Sequence, residues 1–283
     1  MRLPGALAIG ALALTIGASA IAYLSYRDGM AEARRSFEDI LSNAPAAAER
    51  YDPATVAQQP EIARRYFNHA IAPGTPLATT VELEMKGTFL LGDKNNHQEI
   101  AMIARQALRP PLQFVWMPVL RSGAMVIIGS DALAARRAWT RFWLARLIPV
   151  ANERTSPDLV KSAAFRAASE AVWLPASLLP QRGAKWEQIG ADRARVTVPS
   201  AAGPIVLEMT LGPHGAVKDL SGQRWSNANL EKQFRFQPFG GTSGGEKTFG
   251  GFTIPARLNV GNHFGTDAYF PFFQVEIVAA HYR

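Results

Sequence analysis

Alternation of apolar and polar residues dominates this chain, and it is the pattern of strands that bury one face. Residues 81–86 show it without interruption, because Val81, Leu83 and Met85 point one way and the charged residues between them point the other. Residues 124–128 are apolar throughout, which is typical of a central strand. Comparable runs predict further strands at 99–104, 114–119, 186–189, 193–198, 205–211, 216–220, 257–261 and 272–278.

Helices are predicted at only a few places. Ser156 is suited to cap a helix that begins at Pro157 and continues through an alanine-rich run. Pro60 opens a shorter amphipathic helix that ends before Pro73. Residues 131–147 are compatible with either a helix or a strand. Because neither β-α-β alternation nor an internal repeat occurs, the sequence predicts an α+β fold with one large antiparallel sheet and a few covering helices.

The chain starts with an apolar segment, residues 3–24, that carries no charged side chain. A helix of that length rises roughly 33 Å, enough to cross a hydrocarbon core of about 30 Å. We therefore expect one transmembrane helix, and we divide the chain into an anchor (1–26), a juxtamembrane helix and linker (27–59) and a single β-rich domain (60–283). A cleaved signal segment is the alternative, because Ala18-Ser19-Ala20 fits a signal peptidase site.

The amino-acid composition excludes several kinds of functional site. None of the 283 residues is a cysteine, which excludes disulfides, thiolate metal sites and cysteine nucleophiles. The net charge is +7, but the basic residues are scattered, so we expect attraction to anionic lipid headgroups and no binding of nucleic acid. Nucleotide binding is not expected either, because Glu246 interrupts the segment that approximates a phosphate-binding loop.

Three short motifs carry a resemblance to a known family. They are EAVWLPASLLP at 170–180, FGGFTIP at 249–255 and FGTD at 264–267. Over about residues 63–278 the chain is similar to an uncharacterised bacterial family of unknown function, and this resemblance implies no particular activity. The large antiparallel sheet with few helices also resembles the curved half-barrels of bacterial lipoprotein carriers, which implies a half-barrel fold and a lipid-like ligand.

Two groups of residues are candidates for catalysis. Residues 241–245 fit G-x-S-x-G with Ser243 as the nucleophile, and Asp267 and His281 follow in the order of an α/β-hydrolase triad. The flanking residues, however, predict neither the strand nor the helix that such a nucleophile turn requires. His263 with Asp267 is the second candidate. No histidine spacing predicts a metal site and no cofactor is expected, so a non-catalytic function is favoured.

The last third of the chain is unusually rich in aromatic residues, which predicts either a large core or an apolar pocket. In the strand 270–278, Phe270 and Phe272 share a face with Glu276, whereas Phe273 faces the core. Phenylalanine beside a carboxylate is typical of a pocket that holds a tail and orients a head. We therefore expect Phe270, Phe272, Phe264 and Glu276 to contact a ligand.

These patterns together predict a membrane-anchored, non-catalytic domain that binds an apolar or amphiphilic, lipid-like molecule at the membrane surface. The domain is expected on the periplasmic side, because long domains are translocated largely regardless of flanking charge. One alternative is a hydrolase that uses Ser243 or the pair His263 and Asp267. A second alternative is an interaction or scaffold domain of the cell envelope without a small ligand. The sequence leaves the oligomeric state open.

Overall fold

The structure is a computed structural model that describes residues 4–200 and 202–283, with side chains from residue 17 onward. The described residues form α1 (Pro4–Ser42), α2 (Glu61–Ala70) and α3 (Pro157–Ser169). Short 3-10 helices lie at Pro53–Val56, Glu170–Trp173, Pro175–Leu178 and Pro180–Arg182. The described strands are β1 (Val81–Gly92), β2 (His97–Arg109), β3 (Gln113–Ser122), β4 (Met125–Ala134), β5 (Arg137–Leu144), β6 (Ile148–Glu153), β7 (Lys185–Gln188), β8 (Arg193–Val198), β9 (Ile205–Leu211), β10 (Val217–Ser226), β11 (Arg235–Phe249), β12 (Phe252–Asn262) and β13 (Phe270–Tyr282).

The thirteen described strands form a single curved antiparallel sheet in the order β6-β5-β4-β3-β2-β1-β13-β12-β11-β10-β9-β8-β7. The first six strands meander to one edge of the sheet. The chain then crosses to the other edge through α3, and β7 starts a second meander that ends where β13 pairs with β1. The α+β class and the antiparallel sheet agree with the prediction, and residues 131–147, which the sequence left open, belong to β4 and β5.

Helices α2 and α3 and the 3-10 turns that follow α3 cover one side of the sheet, here called the inner face. Ser156 caps α3 as predicted, because its Oγ accepts a hydrogen bond of 3.1 Å from the Leu159 amide. Trp173 is buried at the end of the 3-10 turn that directly follows α3. Its indole N–H donates to the Pro255 carbonyl at 3.0 Å, which ties the helical region to β12.

Helix α1 covers the opposite side, the outer face, where it crosses β2–β5. Its residues Ala33, Phe37 and Ile40 are buried against Trp139 and against alanines of the sheet such as Ala132. Small side chains on the sheet allow the helix to approach closely, and the larger apolar side chains of α1 fill the space. The C-terminal half of α1 is therefore an integral part of the core on this face.

Ion pairs and aromatic contacts fix the direction of α1. Glu32 pairs with Arg137 at 2.8 Å and with Arg141 at 2.6 Å. Partial burial raises the pKa of Glu32, but the arginines outweigh burial, so the pKa lies below its ordinary value. Nearer the N-terminus, the ring of Tyr26 packs 5.6 Å from that of Trp143, near the end of β5. The part of α1 around Tyr26 therefore lies at the end of the sheet where β5 turns into β6.

The predicted membrane segment, residues 3–24, lies mostly outside the residues whose side chains are described. In the part of the chain that the structure does describe, no helix is both long enough and apolar enough to cross a bilayer.

Candidate functional site

A cavity of about 580 Å³ lies between the inner face of the sheet and the helical region that covers it. Most of its lining side chains are apolar and come from strands on both sides of the β1–β13 junction. Phe239, Leu258, Val260, Phe272 and Phe273 form one wall. The facing wall is formed by Trp116, Leu120, Met125, Ile127 and Phe142, and Val172 and Trp173 cover the cavity from the helical side.

The aromatic side chains of the cavity contact one another in a continuous series. The ring of Phe272 lies 6.3 Å from that of Phe239 and 5.5 Å from that of Phe89, centroid to centroid. The cavity reaches the surface at one end of the sheet, because Leu91 and Val150 line it and are also about half exposed, at 49% and 51%. We call this end of the cavity its mouth.

A cluster of charged side chains interrupts the apolar lining beneath α3. Arg166 of α3 pairs with Asp131 of β4 at 2.6 Å and with Glu170 at 2.7 Å. These three side chains are only 11–18% exposed, so solvent screens the pairs weakly. Gln106 of β2 donates a further hydrogen bond to Glu170. The cluster therefore fastens α3 to two strands of the sheet through charge and hydrogen bonds, in addition to the apolar packing of the helix.

The pKa values in this cluster follow from burial and pairing. Burial raises the pKa of Glu170 above its ordinary value, although Arg166 and Gln106 act in the opposite direction. For Arg166 burial lowers the pKa, but Glu170 and Asp131 outweigh burial and raise it overall. The guanidinium is therefore held firmly charged between two carboxylates.

Arg224 of β10 lines the same cavity in a different electrostatic environment. Its Nε donates to Ser162 Oγ at 3.2 Å, and its guanidinium lies 4.8 Å from the ring centroid of Phe239. Among the residues whose side chains are described, no carboxylate lies within ion-pair distance of it. Burial lowers the pKa of Arg224, and from a distance the charges of Asp131 and Glu170 act to raise it whereas that of Arg166 acts to lower it.

An irregularity in β13 changes which phenylalanines reach the cavity. Val260 of β12 lies opposite Phe273, but Asn262 lies opposite Phe270, so β13 holds one extra residue between them. As a result Phe272 and Phe273 both line the cavity, and the prediction that Phe273 faces the other side is wrong. Phe272 is the predicted ligand residue that lies in this cavity, whereas Phe270 is outside its lining.

The two other predicted ligand residues also lie away from this cavity. Phe264 lines a separate depression of about 630 Å³ on another side of α3, next to Lys161. Glu276 pairs with Lys247 at 2.8 Å and with Lys86 at 3.5 Å. The structure therefore does not bring the four predicted residues together at one place.

The residues proposed for catalysis are not assembled either. Ser243 lines the cavity, but its Oγ has no hydrogen-bond partner among the described residues. Asp267 and His263 lie in the loop between β12 and β13, and His281 is exposed near the end of β13. No base is thus placed to activate Ser243. In the described part of the chain, no group of three or more His, Asp or Glu side chains could hold a metal ion.

Sequence reasoning missed the charged residues of the cavity. Arg166 and Glu170 are four residues apart, a spacing that predicts a pair on one side of a helix. Nothing in that spacing shows that the pair is buried, or that Asp131 completes it from a strand 35 residues away. Arg224 carries no local signal, because an arginine in a strand is ordinarily read as part of the solvent face.

Comparisons with known proteins give the chain a family but no activity. It is similar in structure to a LolA superfamily protein from Nitrosomonas europaea, at 9% identity and a TM-score of 0.41 over 78% of this chain and 92% of that one. It is also similar to a putative outer membrane lipoprotein-sorting protein domain from Vibrio parahaemolyticus, at 8% identity and a TM-score of 0.39 over 72% and 85% of the two chains. No curated protein matches at a significant level. A sequence model of one family matches residues 49–275, which confirms the kinship indicated by the three motifs: the chain belongs to the family of unknown function DUF6544.

Proposed function

We propose that this protein binds an apolar or amphiphilic, lipid-like molecule in the cavity beneath α3, without catalysis. The observation that carries the proposal is the cavity itself, about 580 Å³ in volume and lined mainly by aromatic and aliphatic side chains. Pockets for small molecules ordinarily have volumes of about 300–1,000 Å³ and combine an apolar lining with a few polar groups. Phe272 and Phe273 contribute to the apolar wall, and Arg166 and Arg224 contribute to the polar part.

The position of the mouth supports binding at a membrane surface. Leu147, Ile148 and Val150 of the β5–β6 region are exposed there, and so are the side chains of Arg121 and Arg146. Apolar side chains flanked by arginines suit an anionic lipid surface.

Helix α1 leads to the same end of the sheet. Tyr26 of this helix contacts Trp143 near the mouth, and the residues Ile21, Tyr23 and Leu24 that precede it are exposed. We therefore retain the membrane anchor at residues 1–26 as part of the proposal, with the mouth turned toward the bilayer. The β-rich domain lies on the periplasmic side in this proposal, for the reason of translocation given above.

Lipid analysis of matched cavity variants tests the function. Val260→Trp places a large ring in the cavity, whereas Val278→Trp adds the same ring on an exposed position of the neighbouring strand. We expect mass spectrometry of the purified full-length protein to detect a bound amphiphile in the wild type and in Val278→Trp, and to find it lost in Val260→Trp. Both variants should still unfold cooperatively.

Two results would contradict the proposal. One is a full complement of bound amphiphile in a folded Val260→Trp protein, because the cavity would then not be the binding site. The other is the absence of any apolar or amphiphilic molecule from the wild-type protein, even after incubation with lipid vesicles. In that case the scaffold alternative would gain support.

A further inference from the structure

Arg224 is the feature of the cavity that the fold itself does not explain. A buried charge is ordinarily paired with an opposite charge, because leaving water without compensation is costly. Arg166 follows this rule with two carboxylates. Among the side chains that the structure describes, the partly buried Arg224 has only the hydroxyl of Ser162 at 3.2 Å and the face of the Phe239 ring at 4.8 Å as close polar or aromatic partners.

The other charged groups of the cavity do not neutralise Arg224. Asp131 and Glu170 are both engaged by Arg166, at 2.6 Å and 2.7 Å. Asp219 lies on the same strand as Arg224 and lines the cavity, but it forms no ion pair with Arg224. The two arginines and the two carboxylates of the cluster sum to zero formal charge, but both carboxylates are in direct contact with Arg166. The Arg224 guanidinium therefore has no carboxylate in contact with it among the described side chains and is available to an anion.

Apolar surface begins directly beside this guanidinium. The Phe239 ring, over which Arg224 lies, contacts Phe272, and Phe272 contacts Phe89 toward the mouth of the cavity. A cation at one point of an apolar wall is complementary to a molecule that has an anionic head and a long apolar tail.

We propose that the ligand is an anionic amphiphile whose carboxylate or phosphate head binds Arg224 and whose tail lies along Phe239, Phe272 and Phe89. This inference rests on the proposed function and adds the chemical class of the ligand to it. Arg224 is the residue that selects for charge, and Arg166 is a structural residue that holds α3. Guanidinium groups suit this role, because they bind planar carboxylates and phosphates through two parallel hydrogen bonds.

Photolabelling with a charged and a neutral version of one probe tests the inference. Membranes that contain the full-length protein are exposed to a long-chain carboxylic acid bearing a diazirine or to its methyl ester, and labelling of cavity residues is measured by mass spectrometry. A hydrogen-bonded charge is worth about 1.5–3 kcal/mol, so the wild type should prefer the acid by about tenfold to a hundredfold.

Two variants assign that preference to a residue. Arg224→Gln should lose the preference for the acid and keep the labelling by the ester. Arg193→Gln removes the same charge from an exposed strand outside the cavity, and it should behave like the wild type. Thermal unfolding checks that both variants are folded. Calorimetry with inorganic phosphate tests whether a free anion is sufficient for binding.

The outcomes separate this inference from the proposed function. Failure of both probes to label the wild-type cavity would overturn both. Equal labelling by acid and ester would leave the proposed function standing and overturn the role of Arg224, as would a preference for the acid that persists in Arg224→Gln. A further outcome is that the wild type binds inorganic phosphate, that Arg224→Gln abolishes this binding, and that the acid probe is not preferred over the ester. The site would then bind a free anion, and the proposal of an amphiphilic ligand would be overturned.

Discussion

Replacing the two cavity arginines with methionine, one at a time, should affect stability very differently. Arg166→Met removes the guanidinium that Asp131 and Glu170 share at 2.6 Å and 2.7 Å. Two mostly buried carboxylates are then left without a counter-charge. Breaking a buried pair in this way costs about 3–5 kcal/mol, so we expect the free energy of unfolding to fall by that amount near neutral pH.

Arg224→Met changes size and charge in the same way but leaves no carboxylate without a partner. The variant loses the hydrogen bond from the charged guanidinium to Ser162, which is worth about 1.5–3 kcal/mol. It also removes a partly buried charge whose desolvation the fold does not compensate, which acts in the opposite direction. We expect these effects to offset each other, with a net change in unfolding free energy below about 1 kcal/mol.

Urea unfolding, followed by tryptophan fluorescence in the same detergent, measures the change in unfolding free energy for both variants. A slope of the transition equal to that of the wild type indicates that the folded state is unchanged. Acidification provides an internal control. As Glu170, whose pKa burial raises, becomes protonated, the cost of Arg166→Met should shrink, whereas the small effect of Arg224→Met should stay the same. A loss of 3 kcal/mol or more in Arg224→Met, relative to about 1 kcal/mol expected at most, would show that Arg224 is structural and would refute the reasoning.

Two further predictions concern the N-terminal helix and the pH dependence of stability. Deleting residues 1–26 should release a folded protein into the soluble fraction after a high-salt wash, whereas deleting residues 1–42 should lower thermal stability strongly, because the buried Phe37 and Ile40 are lost. The prediction would be contradicted if the protein without residues 1–26 stayed in the membrane pellet, or if the two deletion variants were equally stable. Burial raises the folded-state pKa of Glu170, so the contribution of this residue to stability should be lost as the pH rises from about 4.3, the unfolded value, through the folded pKa. Glu170→Gln should remove this pH-dependent loss. Parallel curves of unfolding free energy against pH for the wild type and Glu170→Gln would count against the prediction.

The fold was largely predictable because its strands bury one face and therefore alternate. Residues 81–86 and the capped helix after Ser156 carried enough local pattern to be assigned without a structure. The segment 131–147 was ambiguous, because Trp139 and Trp143 satisfy a helical and a strand spacing equally. Its assignment to strands depends on pairing with the neighbouring strand β3 and on coverage by α1, and the pattern within the segment contains neither.

The site was less predictable, for two physical reasons. The face that a side chain occupies depends on uninterrupted alternation, and one extra residue in β13 puts Phe273 beside Phe272 in the cavity. The buried charges depend on tertiary pairing, since Arg166 finds Asp131 on another element. The aromatic enrichment of the last third nevertheless indicated a part of the chain that lines the cavity, because Phe239, Phe272 and Phe273 all do so.

The cavity and its charged cluster are connected through the way α3 is held. A sheet of this width curves away from a single helix, and apolar packing alone would draw the helix down until the space closed. Here polar contacts hold it at three points: Asp158 accepts a hydrogen bond of 2.7 Å from the Trp225 indole, Arg166 pairs with Asp131, and Glu170 accepts one from Gln106. Such contacts have fixed lengths and directions, so they keep the helix over the cavity at a set height. Buried charges often contribute little to stability compared with apolar residues of the same size. Their use at these positions is understandable if the space beneath α3 is what the fold has to maintain.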